Sequence, residues 1–302
     1  MVDSLSSVTS NELNLFADDC TLLCISPQHT SHAVHQRVIQ DDIAQCIKWA
    51  SRNGATFNPN KTIHMSFSRP SSSRDYNVEM CNVPIQKPAI YRHLGVQFTS
   101  SLDFSAHIQK ITNVFRTRVI LFAYMCGFLP PSALCILYKC FIRPTIEYAV
   151  PVCMSSLNAI QKSTLDKLQA KAARSYLFAL GKPPHHLTTK ENLNKICQWE
   201  SVQWRRQILS LCYYHHVVHQ FPQLLEEFQF RKSVSPRHPM TIRLPPASTC
   251  FSKFSLFCLS VEWNKLPEFL RSLSLGKAFD TQIKEHYASS KFTVNEIPNF
   301  VS

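Results

Sequence analysis

Two adjacent carboxylates near the start of the chain, Asp18 and Asp19, are the residues best suited to chemistry, and they sit within Asn14-Leu15-Phe16-Ala17-Asp18-Asp19-Cys20-Thr21-Leu22-Leu23. Neighbouring carboxylates on a rigid turn offer hard oxygen donors, which suit Mg²⁺ or Mn²⁺, and such ions are usually shared with substrate phosphates. Phosphoryl transfer asks little more of a protein than metal and positioning. A plain polar turn is the other use of Asp-Asp, because Asp side chains bond readily to local backbone. A second group, Cys212, His215, His216 and His219, has spacings of three, four and seven. That spacing stacks Cys212, one histidine and His219 on one helix face. One face does not easily wrap a tetrahedral ion, so these are read as partly buried helix residues.

The elements that must hold the carboxylates follow from periodicity. Leu13 and Leu15 alternate with polar neighbours and apolar residues resume at Leu22, which predicts a β-hairpin with the acidic pair at its turn. A helix is expected over Ala33–Asn53, with Ile39, Ile43, Ile47 and Trp49-Ala50 inward, Asp41 and Asp42 outside, and its end near Gly54. Lys61 to Phe67 alternates as a strand would, a Ser-rich loop follows, and short strands are expected at Asn77–Cys81 and Tyr91–Phe98.

From Leu102 the period becomes helical, with Ile108, Ile111, Phe115, Val119 and Phe122 on one face of a Leu102–Cys126 helix. Further helices are expected at Ser132–Ala149, where Pro144 kinks or ends the helix, and at Ala159–Phe178, Thr189–Ile196, Glu200–Phe221 and Leu275–Tyr287. Trp199 and Trp204 are read as core residues, and Phe230–Pro246 as a basic loop.

Charge points to an anionic partner: 32 Lys and Arg against 20 acids give a formal net charge of +12. Twelve scattered cysteines, with no CxxC pair and no secretory signal, are read as reduced thiols of an intracellular protein, nuclear or cytoplasmic. Val119–Tyr138 carries no charge, but Pro130-Pro131 interrupts it, so no membrane span is expected.

Phe16-Ala17-Asp18-Asp19 resembles the aromatic-Ala-Asp-Asp signature of reverse transcriptases, and the motifs after it resemble, in order, those of the LINE-type (non-LTR, jockey-like) retrotransposon enzymes. Asn58-Pro59-Asn60-Lys61-Thr62 is similar to the family's Asn-x-x-Lys-Thr, and Tyr91-Arg92-His93-Leu94-Gly95-Val96 to its Tyr-Leu-Gly-Val segment. Phe141-Ile142-Arg143-Pro144 with Ile146-Glu147-Tyr148-Ala149, Leu165 to Arg174, and Trp263-Asn264-Lys265-Leu266-Pro267 continue the likeness, which runs roughly from Asn11 to Tyr287. The resemblance implies an RNA template, a DNA primer, and Asp18 and Asp19 as metal ligands. It also implies Lys61 as the partner of the leaving pyrophosphate. The family's third carboxylate, from an upstream strand, has no match before Asn14, so a C-terminal part of such an enzyme is expected. Lys277-Ala278-Phe279-Asp280 mimics that missing motif, but it lies after the hairpin and on an amphipathic helix.

The expected fold class is α+β: a partial polymerase palm of hairpin, helix and short strands, followed by a mostly α-helical thumb and extension. The expected divisions are palm 1–98, thumb-like region 99–180, helical connection 181–228, basic Pro-containing loop 229–250 and C-terminal unit 251–302. Lys110, Arg116, Arg118, Lys139, Arg143, Lys167, Lys171 and Arg174 are the candidate phosphate contacts. Two other readings stay open, a non-catalytic nucleic-acid-binding remnant and a decayed element without function.

Overall fold

Ser31 starts the helix that organises the first part of the chain. Its side chain accepts from the Val34 amide, and Asn53 closes the other end of the 21-residue helix α1 (His32–Arg52). In this computed structural model residues 4–26, 30–67, 76–153, 156–227, 231–232, 240–244 and 255–289 are described. The chain divides into two compact units, 1–103 and 104–302.

The first unit holds α1 and three antiparallel ribbons: β1 (Glu12–Phe16) with β2 (Asp19–Leu23), β3 (Glu79–Met80) with β4 (Val83–Pro84), and β5 (Ile90–His93) with β6 (Val96–Thr99). Among the described residues they do not merge into one sheet; each is two-stranded. Ile39 and Ile43 of α1 pack with Tyr76, Val78, Met80 and Ile85, and Leu22 and Cys24 of the first hairpin lean on this core. Gln40 gives β3 the partner it lacks. Its Nε2 donates to the Glu79 carbonyl at 2.8 Å and its Oε1 accepts from the Glu79 amide at 3.0 Å.

Two expectations in this unit are corrected. Lys61–Phe67 is not a strand. The Asn58 carbonyl captures the Lys61 and Thr62 amides in a turn, and only Ile63 bridges to Gln86 in the parallel sense. Asp42 is not outside α1 but 2% exposed. It stands three residues after Ile39 and four before Cys46, on the inward stripe.

The second unit is helical: α2 (Ser105–Met125), α3 (Pro131–Leu137), a π-helical turn (Tyr138–Ile142), α4 (Pro144–Glu147), α5 (Val150–Cys153), α6 (Ala159–Ala179), α7 (Lys190–Cys197), α8 (Val202–Gln220), α9 (Pro222–Glu227), α10 (Ser255–Asn264), α11 (Glu268–Arg271) and α12 (Lys277–Ser289). The expected Ser132–Ala149 helix is broken into three. Pro144 has no amide hydrogen to give, and the Arg143 amide reaches five residues back to Tyr138 instead. That widened turn lays Tyr138 flat on Trp199, with centroids 3.7 Å apart and planes 6° apart, and Tyr176 stacks on Trp199 at 5.3 Å. Trp199 is a core residue, as the sequence suggested.

Around α8 a second core gathers Leu211, Tyr214, Trp263, Leu270, Phe279 and Ile283, so Phe279 and Ile283 of α12 face inward and Asp280 stays exposed. Part of the expected basic loop is a ribbon, β7 (Arg231–Lys232) with β8 (Ile242–Arg243), and the Asn264 amide clasps the Ile242 backbone on both sides. Arg237 and Phe230 lie outside the described residues. No described helix is long and apolar enough to cross a membrane.

Two histidines of this unit titrate below their ordinary range. Burial is the first cause for both; the Lys110 and Arg206 charges add to it at His107, while at His215 the Leu273 carbonyl and Asp280 oppose it. An unfolded histidine takes up its proton near pH 6.5, and these two resist it until the pH is lower. The stability they provide is therefore complete above that pH and is lost as the pH falls through their folded values. Chemical denaturation between pH 7.5 and 5.5 is expected to show a decline that is shallower in the His107→Gln/His215→Gln double variant.

Candidate functional site

The hairpin pairs Glu12 with Leu23, Leu13 with Leu22, Asn14 with Thr21, Leu15 with Cys20 and Phe16 with Asp19. This register leaves Ala17 and Asp18 as a two-residue loop. Ala17 takes φ +53°, the left-handed region a tight connection asks of its first central residue. Asp18 thus stands in the loop and Asp19 is the first residue of β2. Both are exposed, as is Phe16 at 65%. Their charges reach the next residue: burial and then Asp19 and Asp18 push the Cys20 thiol up.

Asp42 anchors the other end of the ribbon. Its carboxylate accepts from the Ser10 amide at 2.7 Å, the Asn11 amide at 2.9 Å and the Asn11 side chain at 2.7 Å. Ser10 and Asn11 lead directly into β1. Thr21 Oγ1 lies 3.5 Å from His93 Nε2 of β5. Sequence reasoning missed Asp42, although its spacing from Ile39 and Cys46 was the available signal.

Lys61 is exposed in the turn that Asn58 closes. The Asn58 carbonyl accepts from the Lys61 amide, the Thr62 amide and Thr62 Oγ1, and Asn58 Oδ1 accepts from the Asn60 amide. The Asn-x-x-Lys-Thr pattern is therefore a self-capped turn that presents a lysine. Among the described residues no hydrogen bond or ion pair joins Lys61 to Asp18 or Asp19. The Tyr91–Val96 motif is also a turn, in which Leu94 at φ +44° and Gly95 at φ +87° connect β5 and β6.

The eight candidate basic residues divide into two sets. Lys110, Arg116, Lys139, Lys167 and Lys171 are exposed, and Arg116 bonds to Asn113 one turn back, at 2.8 Å. The other three are committed to the fold. Arg118 donates at 2.6 Å to the Phe141 carbonyl and to Thr145 Oγ1, and its guanidinium lies 4.2 Å from the centroid of the Phe141 ring. Arg174 donates to the carbonyls of His185, His186 and Thr188. Arg143 pairs with Glu147 at 3.2 Å and Glu200 at 3.4 Å, a network that Arg205 completes by forking onto Glu147, with Nη2 to Oε2 at 3.0 Å.

The Cys212 to His219 group resolves as packing. His215 is buried, its Nε2 meets the Leu273 carbonyl at 2.9 Å, and its ring stacks on Phe279 at 3.9 Å. Burial, with Asp280 beside it, pushes the Cys212 thiol up to about 12.

Over 181 residues, 58% of this chain, the sequence is 24% identical to the RNA-directed DNA polymerase from mobile element jockey of Drosophila melanogaster. The match covers 19% of that protein, so the chain spans about a fifth of the length of this curated relative. No family model and no solved structure matches. The similarity supports a reverse-transcriptase-like relationship and nothing finer.

Ala17 carries a Cβ where the backbone favours glycine. Ala17→Gly is expected to stabilise the hairpin by about 0.5–1 kcal/mol, read as slower exchange of its cross-strand amides. Ala17→Val is expected to speed that exchange.

Proposed function

We propose that the chain is part of a reverse-transcriptase-like, retrotransposon-derived RNA-directed DNA polymerase, with Asp18 and Asp19 supplying two of the carboxylates that hold Mg²⁺ or Mn²⁺. The single observation that supports this most is the exposed Asp18-Asp19 pair at the tip of a tight hairpin. It offers several hard oxygen donors in one place, unspent on protein partners among the described residues. The donor set fits a divalent cation only in part. Two carboxylates alone hold it weakly, since an octahedral ion draws its other ligands from water, phosphate or a third side chain.

When bound, the cation supplies charge neutralisation on phosphate oxygens during transfer to a primer hydroxyl. The chain's own contribution is to keep two carboxylates side by side in water. Lys61, exposed and free of carboxylate partners among the described residues, is suited to meet the charge that develops on a leaving pyrophosphate. The chain alone is inactive in this reading, because the donor set is incomplete.

A second reading, a non-catalytic nucleic-acid-binding remnant, is favoured by the five exposed cations on α2, the π-helical turn and α6. An RNA template paired with a DNA primer is the partner in either reading, and such contacts are to phosphate and read no sequence.

Both readings meet in one pair of assays. With Mg²⁺ or Mn²⁺ the chain is expected to extend no primer, and processive synthesis would refute the incomplete site. Binding to an RNA–DNA duplex is expected to weaken with salt, log affinity against log salt having a slope of about −4.5 if all five cations touch phosphate. Lys167→Glu/Lys171→Glu is expected to flatten that slope by about 2 units, while Asp18→Asn/Asp19→Asn leaves it unchanged.

A further inference from the structure

The acidic hairpin is two-stranded, and what holds it sets its direction: Leu22 and Cys24 against the core, Thr21 beside His93, and Asp42 at its root. Asp42 holds it with a charge in an expensive place. At 2% exposure, among the apolar residues of α1, a carboxylate is costly, and an aliphatic side chain would suit the stripe better. Among the described residues no Lys or Arg forms an ion pair with it; three N–H groups from Ser10 and Asn11 satisfy it instead. Its charge is felt nearby, adding to the burial that pushes the Cys24 and Cys46 thiols up to about 11. All three donors belong to the two residues that enter β1, and the tip lies five strand residues further on. At ~3.4 Å per residue that is a lever of about 17 Å, so a tilt of about 10° at the root moves the tip by about 3 Å. Ligand constellations tolerate displacements of only about 0.5 Å.

We propose that Asp42 is a positioning residue: it pins the root of the hairpin to α1 and so fixes where the Asp18-Asp19 pair points. In its consequence for cations this rests on the reading of that pair as ligands. The pinning itself does not.

The test titrates Mn²⁺ alone into the full chain and follows paramagnetic broadening of backbone amides. It compares wild type, Asp42→Asn, Asn11→Ala and Asp18→Asn/Asp19→Asn, with hydrogen exchange measured on the same samples. Asp42→Asn keeps the shape but loses the charge and one acceptor oxygen, and Asn11→Ala removes one donor of three. Broadening of the tip is expected in wild type, with affinity about tenfold weaker in Asp42→Asn and about twofold weaker in Asn11→Ala. The Ser10 and Asn11 amides should exchange faster in Asp42→Asn while those of Ile39 and Ile43 keep their protection.

Where the Asp18→Asn/Asp19→Asn chain loses the ion, equal Mn²⁺ affinity in wild type and in the Asp42 and Asn11 variants overturns the proposal. So does loss of protection throughout α1, which would mark Asp42 as ordinary core. If the Asp18→Asn/Asp19→Asn chain binds Mn²⁺ as wild type does, the ligand reading fails. The exchange of Ser10 and Asn11 then decides the pin by itself: release in Asp42→Asn supports it, and unchanged exchange overturns it.

Discussion

A two-stranded ribbon in water is marginally stable at best, and among the described residues the one carrying Asp18 and Asp19 has no third strand beside it. Its persistence therefore depends on docking against α1. Leu22 and Cys24 supply apolar contact with the core of the first unit, and the Asp42 carboxylate gathers the Ser10 and Asn11 donors at the root. The order of dependence runs from helix to ribbon to carboxylates. Ser31 and Asn53 cap α1, α1 presents Asp42 inward, and Asp42 accepts from the root of the ribbon whose tip carries the acidic pair. Any chemistry at the tip inherits its geometry from a helix stripe some thirty residues away in sequence, as the Asn11 to Asp42 separation of 31 records.

Electrostatics in the helical unit works in the opposite sense. The formal charge of +12 overstates what a nucleic acid could meet, because several arginines are used internally. Arg143 and Arg205 are balanced by Glu147 and Glu200, Arg174 holds three carbonyls of the segment after α6, and Arg206 is buried against the Ile146 carbonyl. Guanidinium groups, with five donors in a fixed fork, suit that kind of joinery; ammonium groups on flexible stems stay in solvent. Four of the five exposed cations are accordingly lysines.

Much of the fold was legible because helices announce themselves twice, by period and by caps. Ser31, Asn158 with Gln161, Thr189 and Ser201 each begin a helix within a residue or two of the expected start. The hairpin was legible from alternation around a turn, and Trp199 and Phe279 were legible as core. What escaped the sequence was decided by partners far away or by competition over single hydrogen bonds. Asp42 looked like solvent charge because its donors lie over thirty residues upstream. Arg143 looked like a phosphate contact although Glu147, one turn on, was the available signal; its other partner, Glu200, is 57 residues on. The strand expected from Lys61 gave way because the Asn58 carbonyl took its amides first. A break at Pro144 was expected; its form, a π-turn in which the Arg143 amide reaches Tyr138, was not. At Asp42 the local pattern was right about polarity and silent about the partner.

If Asp18 and Asp19 together hold a cation at the tip of the hairpin, the place where the ion rests can be mapped. Iron-directed cleavage tests this most directly: Fe²⁺ in place of Mg²⁺, with ascorbate and peroxide, cuts the backbone beside wherever the ion rests, and the cuts are located by mass spectrometry. The account predicts cuts clustered around Phe16 to Cys20, suppressed by excess Mg²⁺ and absent from a chain in which both aspartates are asparagine. Cleavage spread evenly along the chain, or centred elsewhere and indifferent to Mg²⁺, would contradict it.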